Sequence, residues 1–324
     1  MATLKDISEK TGLSIGTISR VLNYDQTLYI SDEKKHLILK TADELNYKTL
    51  QERKMNEGKI LILQTSSKSY ELQDPYFMSL KAGAENYAQN NKINFDSNYL
   101  DNIELTDIKD YLGVVIIGLL SNEKVKLVKE YNNNIIFVEN NPMTGSHNSV
   151  NVDLTKIARD VADYFSINSR NLVYFGPLSN EFAYDIRQEA FKSAAAYHGL
   201  EHDQIATPMD LIAAYTKALE YLSTIGTKNL SIFCANDNVA MGVLRATTEL
   251  KLEIPGQVEI IGINNIPATE FLEPPLSTVN IPSEFMGEYA VKILVDNIEH
   301  DIQIPINHVV SASILHRGTT IGLN

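Results

Sequence analysis

From Gly58 onward the chain alternates short apolar runs of strand length with longer segments of helical periodicity, and no other feature restricts its fold so tightly. Strand-like runs fall at 59–64, 93–99, 113–118, 135–139, 172–176, 230–235 and 258–263. Helical segments occupy 76–90, 121–132, 154–166, 185–198, 210–224, 238–250 and 284–299. Such alternation builds parallel sheets with helices on both faces, because parallel neighbours need a crossover and the crossover helix covers the sheet. So many elements overfill a single sheet. The pattern therefore predicts an α/β body of two doubly wound lobes, in which a ligand binds beyond the carboxyl ends of the strands, in the crevice between lobes.

Residues 1–57 have a different texture. Thr3 is a good N-cap with Asp6 three residues on, and Leu4, Ile7 and Ser8 share one side of a first helix. Gly12 can take the positive φ that ends this helix, and Leu13 fills the corner. Ser14 caps a second helix whose apolar stripe is Ile18, Val21 and Leu22 and whose polar face carries Thr17, Ser19, Arg20 and Asn23. After a polar loop, Ser31 caps a third helix with Asp32 and Glu33 in its first turn, and Asn46 can end it. Residues 48–57 are polar and uncapped and read as a linker. Spacing alone leaves two readings open: a helix–turn–helix that enters the major groove of DNA, or a helical hairpin at the start of a globular domain.

Charge bears on that choice. The chain carries a net −13, which opposes broad contact with DNA. Residues 1–57, however, hold nine Lys and Arg against nine Asp and Glu, so the acidity lies wholly in residues 58–324. Any DNA contact is confined to a small neutral module, which binds weakly alone and favours a homodimer that doubles the contacts. A single cysteine and no signal peptide predict a reducing cytoplasm, and no apolar run reaches the length of a membrane span.

No catalytic constellation emerges, and neither an enzyme nor a cofactor is expected. The seven histidines lack metal-ligand spacing; His198 and His202 are four apart but straddle Gly199. There is no glycine-rich phosphate loop, and Cys234 lies within an apolar strand, as a packing residue would. A small hydroxyl-rich ligand in such a crevice would need other groups: amides, carboxylates and an arginine for hydroxyls, and an aromatic face for the C–H side of a ring. Candidates at predicted strand ends are Asn236 with Asp237, Asn264 with Asn265, and Glu139. Asp237 or Asn238 can equally be a plain helix N-cap. Arg187 sits in the first turn of a helix, where a cation is unfavourable, so it needs a partner, either a ligand or Asp185 or Glu189. Tyr76 and Phe77 open the helix behind Pro75, as ring-stacking aromatics or as ordinary core.

Residue identities select among these readings. The run Leu4-Lys5-Asp6-Ile7, Gly12-Leu13-Ser14 and Thr17-Ile18-Ser19-Arg20-Val21-Leu22-Asn23 closely resembles the headpiece of the lactose/galactose repressor (LacI–GalR) family. The resemblance runs the length of the chain through Asp74-Pro75-Tyr76-Phe77, Asp185-Ile186-Arg187, Cys234-Ala235-Asn236-Asp237, Pro274-Pro275-Leu276-Ser277-Thr278-Val279 and Arg317-Gly318-Thr319-Thr320. It implies a three-helix headpiece with hinge over 1–57 and a periplasmic-binding-protein-like regulatory domain over 58–324, with one lobe near 58–152 and 283–309 and the other near 153–282 and 310–324. It further implies a dimeric repressor of a sugar operon, nearest in look to repressors of galactoside use, that leaves double-stranded operator DNA when a small sugar binds.

Carried over position by position, the resemblance makes Ile15, Gly16 and Arg20 base-reading positions, with Arg20 bidentate to a guanine. Thr3, Ser14, Thr17, Ser19, Asn23 and Ser31 then hold phosphates. It places Asn236 and Asp237 at the crevice and Arg187 on the sugar, with Tyr76 or Phe77 stacked beside it. Members usually carry Asp at one of the places held here by Asn264 and Asn265, a departure that keeps hydroxyl bonding without charge. The family's hinge helix wedges a Leu into the minor groove; here Glu52 and Met55 stand at the Ala and Leu places, which leaves Met55 as the wedge and puts a carboxylate near phosphates. Two alternatives stay open: the same DNA-binding regulator with another effector (another sugar, a phosphosugar, a purine or a phosphoprotein), although a phosphate calls for more cations than Arg187, or a transport-type sugar-binding protein, in which residues 1–57 would have no role.

Overall fold

The computed structural model describes residues 2–23, 25, 27–47, 58–67, 74–139, 146–168, 170–179, 185–226 and 228–322. It divides into two compact units, residues 1–68, 80–150 and 286–307 in the first and residues 69–79, 151–285 and 308–324 in the second.

The first unit begins with α1 (Leu4–Thr11), α2 (Ile15–Leu22) and α3 (Asp32–Glu44). At α1 the Thr3 hydroxyl accepts the Asp6 N–H at 3.3 Å while the Asp6 carboxylate accepts the Thr3 N–H at 2.7 Å, a reciprocal capping box. Gly12 ends the helix at φ +70°, a backbone that strains any side-chain-bearing residue. Ser8, placed by periodicity on the apolar side, uses its hydroxyl instead to bond the Leu13 carbonyl across the turn at 2.6 Å. Ile7, Ile18, Val21, Ile38 and Ala42 form the headpiece core, ringed by Leu4, Leu13, Leu22, Leu28, Ile30 and Leu45. Ser31 occupies the N-cap backbone position of α3 but makes no side-chain cap bond; the acidic Asp32 and Glu33 face the helix dipole there. The linker 48–57, with Glu52 and Met55, lies outside the described residues.

A six-stranded sheet follows, built from β1 (Ile60–Gln64), β2 (Phe95–Tyr99), β3 (Val114–Ile117), β4 (Ile135–Val138), β5 (Asn148–Val152) and β11 (Asn307–Val310), in the order β11-β5-β4-β3-β1-β2. The pairs from β2 to β5 are parallel. Its crossover helices include α4 (Pro75–Asn90) and α5 (Asn122–Tyr131).

The second sheet runs β12-β10-β9-β8-β6-β7, from β6 (Asn171–Gly176), β7 (His202–Ala206), β8 (Leu230–Cys234), β9 (Val258–Asn264), β10 (Ser277–Asn280) and β12 (Ser313–Leu315). Only the β10–β12 pair is antiparallel. Its helices are α6 (Leu154–Ser166), α7 (Ile186–Tyr197), α8 (Leu211–Leu222) and α9 (Asp237–Glu249), and α10 (Ser283–His300) follows β10. Leu230, Ile232, Cys234, Val258 and Ile260 are sealed beneath α8 and α9. Burial on both faces makes β6, β8 and β9 largely apolar, and the two buried polar side chains that interrupt β8 and β9 bond each other, Ser231 donating to Glu259 at 3.1 Å. Five of the twelve described strands lie beyond the apolar runs: β5, β7, β10, β11 and β12. They are polar or alternating, and β10 buries Ser277 and Thr278 because each hydroxyl finds a partner.

Candidate functional site

Two clusters of polar side chains stand out, one in each unit. In the headpiece, α2 presents Ile15, Gly16, Arg20 and Asn23 to solvent, with Ile15 46% exposed despite its apolar side chain. The Ser14 hydroxyl accepts the Thr17 N–H at 3.1 Å and lies 2.8 Å from the Thr17 hydroxyl. Asn23 donates back to the Ser19 carbonyl at 2.8 Å. Arg20 donates from Nε to Asp25 at 2.6 Å and from Nη2 to Thr27 at 2.8 Å. Tyr29, just before α3, is wholly exposed; an exposed aromatic at the foot of a reading helix is a contact candidate that apolar periodicity does not mark.

In the second unit, the loops at the carboxyl ends of β6 and β8 meet the start of α4. Asp185 caps α7, accepting the Arg187 and Gln188 N–H groups at 3.0 and 3.3 Å. Its carboxylate also grips the Arg187 side chain, from Nε at 3.1 Å and Nη2 at 2.6 Å, while Nη1 donates to the Ala235 carbonyl at 3.0 Å. Next to Ala235, Asn236 is itself the N-cap of α9, accepting the Val239 N–H at 3.0 Å. Its amide reaches Asp74 at 3.4 Å, and Asp74 in turn accepts the Tyr76 N–H at 3.2 Å. The structure therefore joins Asp185, Arg187, Asn236, Asp74 and Tyr76 in one line. Tyr76 is buried, while Phe77, edge-on to it at 5.4 Å, is half-exposed and is the better placed of the two to meet a ligand.

Asp237 and the paired asparagines divide differently from their sequence pattern. Asp237 is fully buried, accepting the Thr278 hydroxyl at 2.6 Å and the Ile266 N–H at 2.9 Å. A Cβ at position 262 would collide with the Asp237 carboxylate, so β9 approaches α9 only because residue 262 is glycine. Both Asp237 oxygens thus pin β9 and β10 to α9. Asn265 is held as firmly, donating to Asn280 at 2.9 Å and accepting from Arg317 at 2.8 Å. The Asn264 amide has no hydrogen-bond partner among the described residues and sits at φ +112°, a strained backbone for a residue with a side chain. Arg317, engaged with Asn265, Thr269 and Leu276, is a supporting residue that sequence reasoning used only as a family marker.

The electrostatics follow burial. Burial works to raise the Asp185 carboxyl, but hydrogen bonds and charge from Arg187 prevail and hold it below its ordinary value. Among the described residues no cation faces Asp74, and burial raises it against its hydrogen bonds from Tyr76 and Asn236. Asp237 is pushed up to about 7 by burial, against the pull of its Thr278 and Ile266 hydrogen bonds.

Two family models match the chain: bacterial regulatory proteins of the lacI family over residues 3–49, and a periplasmic binding protein-like domain over 166–320. The chain carries a LacI-family helix–turn–helix and a periplasmic-binding-protein-like domain. It is 27% identical to the transcriptional regulator GalR of Lacticaseibacillus casei, over 99% of this chain and all of that one. Against the transcriptional repressor MelR of Bacillus subtilis (strain 168) the identity is 28%, over 92% of each. The solved lac repressor dimer bound to operator and an anti-inducer shares its fold at a TM-score of 0.66 and 18% identity, over 99% of both chains.

As a LacI-family DNA-binding transcriptional regulator, the chain matches the headpiece model from Thr3 through α3, and the second model spans β6 to β12. Glu139 lies in the first unit, directly after β4 at φ +63°. Among the described residues no group of three or more His, Cys, Asp or Glu can hold a metal, and no helix is long and apolar enough to cross a membrane.

Proposed function

We propose that this regulator represses a galactoside-utilisation operon in the cytoplasm, binding a pseudo-palindromic operator as a homodimer and leaving it when a galactose-type sugar binds. The observation that carries the proposal is the Arg187 fork, held by Asp185 and the Ala235 carbonyl beside Asn236 and Asp74. A sugar ring offers adjacent hydroxyls that donate and accept at once. An arginine, an amide and a carboxylate fixed by protein contacts supply both roles with little left to order on binding. Asn264, at the end of the neighbouring strand, adds an amide, and Phe77 adds an apolar face. Asp237 and Asn265 act from behind, fixing the strand ends on which these groups stand.

The α2 face serves the other half of the function. Arg20 reads a base edge, Ile15 meets thymine methyls, and Ser14, Thr17, Ser19 and Asn23 hold phosphates with Thr3 and Ser31 at the margins. A neutral headpiece needs a second copy for affinity. Sugar and operator then oppose each other's binding by one coupling energy, typically about 1–3 kcal/mol.

Thermal melting of the purified protein with galactose, lactose or allolactose at millimolar concentration tests the ligand class. One of them raises the melting temperature by mass action, and Arg187→Ala abolishes the rise while leaving operator binding intact. No rise with any of the three would remove the galactoside assignment.

A further inference from the structure

We propose that Asp25 sets base specificity by positioning Arg20, holding one side of its guanidinium so that the other side is aimed at a guanine. The inference rests on the reading of α2 as the DNA-contacting helix and adds a residue outside the α2 face to it. A guanidinium has five N–H donors in a rigid plane, arranged as a side fork of Nε with Nη2 and an end fork of Nη1 with Nη2. Here the side fork is occupied: Nε donates to Asp25 at 2.6 Å and Nη2 donates to Thr27 at 2.8 Å. Nη1 makes no hydrogen bond among the described residues, and with the second N–H of Nη2 it forms the end fork. Its two parallel N–H groups match the O6 and N7 acceptors that guanine shows in the major groove.

The holder is itself fixed. The second Asp25 oxygen accepts both the Thr27 N–H at 2.8 Å and the Thr27 hydroxyl at 2.7 Å, so the three side chains close a ring. The Asp25 N–H donates to the Arg20 carbonyl at 2.9 Å, which folds the loop back onto the end of α2. An arginine free to swing can hydrogen-bond many acceptors, including phosphates. Locked by its side fork, it keeps one direction and one geometry, and a base without two acceptors at that spot leaves its donors unpaired.

A carboxylate beside the reading helix also repels every phosphate, whatever the sequence. Asp25 therefore lowers binding to random DNA while sharpening the choice of base, which is how discrimination rather than affinity is raised. An exposed ion pair placed only for stability would gain little here, with Arg20 46% and Asp25 29% exposed.

The test uses the full-length chain and operators selected by it from a random DNA library, with each base pair of the half-site then replaced in turn. One guanine is expected to be preferred by about 5- to 100-fold, and Arg20→Ala to erase that preference alone. Asp25→Asn and Thr27→Val should each weaken the preference at that same position by about threefold or more, leaving the others unchanged. Asp25→Asn should also tighten binding to random-sequence DNA. Circular dichroism shows whether each variant stays folded, and Thr27→Val, which keeps the carboxylate, stands in if Asp25→Asn does not. Preference lost in Arg20→Ala but intact in both loop variants would overturn the positioning role alone. Preference intact in Arg20→Ala would overturn both this role and the reading of Arg20 on which it rests.

Discussion

Two arginine–aspartate pairs in this regulator share a 2.6 Å contact and differ in nearly everything else. Arg20 and Asp25 sit in solvent, 46% and 29% exposed, whereas Arg187 and Asp185 are 16% and 8% exposed. In water the attraction between two such charges is nearly cancelled by solvation, so the headpiece pair orients without stabilising. In the second unit both charges have left water, and each has become the other's solvent. The same two residue types thus make an aiming device in one place and a structural dependency in the other. Asp237 extends the series: a buried carboxylate with hydrogen bonds and, among the described residues, no cation beside it.

The largest effect that tests this comparison is expected at Asp185. Asp185→Asn keeps the cap on α7 but takes the carboxylate charge away from Arg187, and should destabilise the chain by about 3 kcal/mol in denaturant titration. Asp185→Ala, which also removes the cap, should cost about 1 kcal/mol more. A loss below about 1 kcal/mol for both would mean that Arg187 is solvated, and the contrast between the two pairs would fail.

Asp237 gives the next largest effect, through pH. Its carboxyl lies at about 7 in the folded chain against 3.8 ordinarily. Between those values the unfolded chain releases the proton and the folded chain keeps it, so the group's contribution to stability falls as pH rises from about 4 to about 7. Measured against Asp237→Asn, the wild type should lose about 2 kcal/mol between pH 5 and pH 7 and nothing further above pH 8. A difference constant from pH 5 to pH 8 would show that Asp237 ionises normally.

The contrast also explains what the chain's sequence discloses. Strands β1, β3, β4, β6, β8 and β9 are legible because burial on both faces demands mainly apolar runs, in which Ser231 and Glu259 are admitted as partners of each other. Strand β10 is not, because Ser277 and Thr278 are buried only through partners at Arg317, Thr320 and Asp237, some 40 residues away along the chain. The headpiece core shows in its periodicity, and Thr3 with Asp6 shows in its spacing, since both are local. Arg187 is conspicuous as a cation at the wrong end of a helix. Nothing local separates Asn264 from Asn265, both at positive φ, yet the fold sends their amides to opposite fates: one tied to Asn280 and Arg317, the other without a hydrogen-bond partner among the described residues. Asp237 carries the same lesson, since an Asn-Asp pair at a strand end looks like two ligand groups until β9 and β10 are laid over it.

The smallest effect is expected where the contact looks just as strong. Asp25→Ala should leave the thermal melting temperature unchanged, although it breaks a 2.6 Å ion pair. A double-mutant cycle with Arg20→Ala and Asp25→Ala should give a coupling that fades between about 0.1 M and 1 M salt, as the screening length shrinks from about 10 Å to 3 Å. The equivalent cycle on Arg187 and Asp185 should keep its coupling at both concentrations, because salt does not enter the space between those two charges. A salt-independent coupling at Arg20 would mean that the loop shields it from solvent, and the two pairs would then differ in degree rather than in kind.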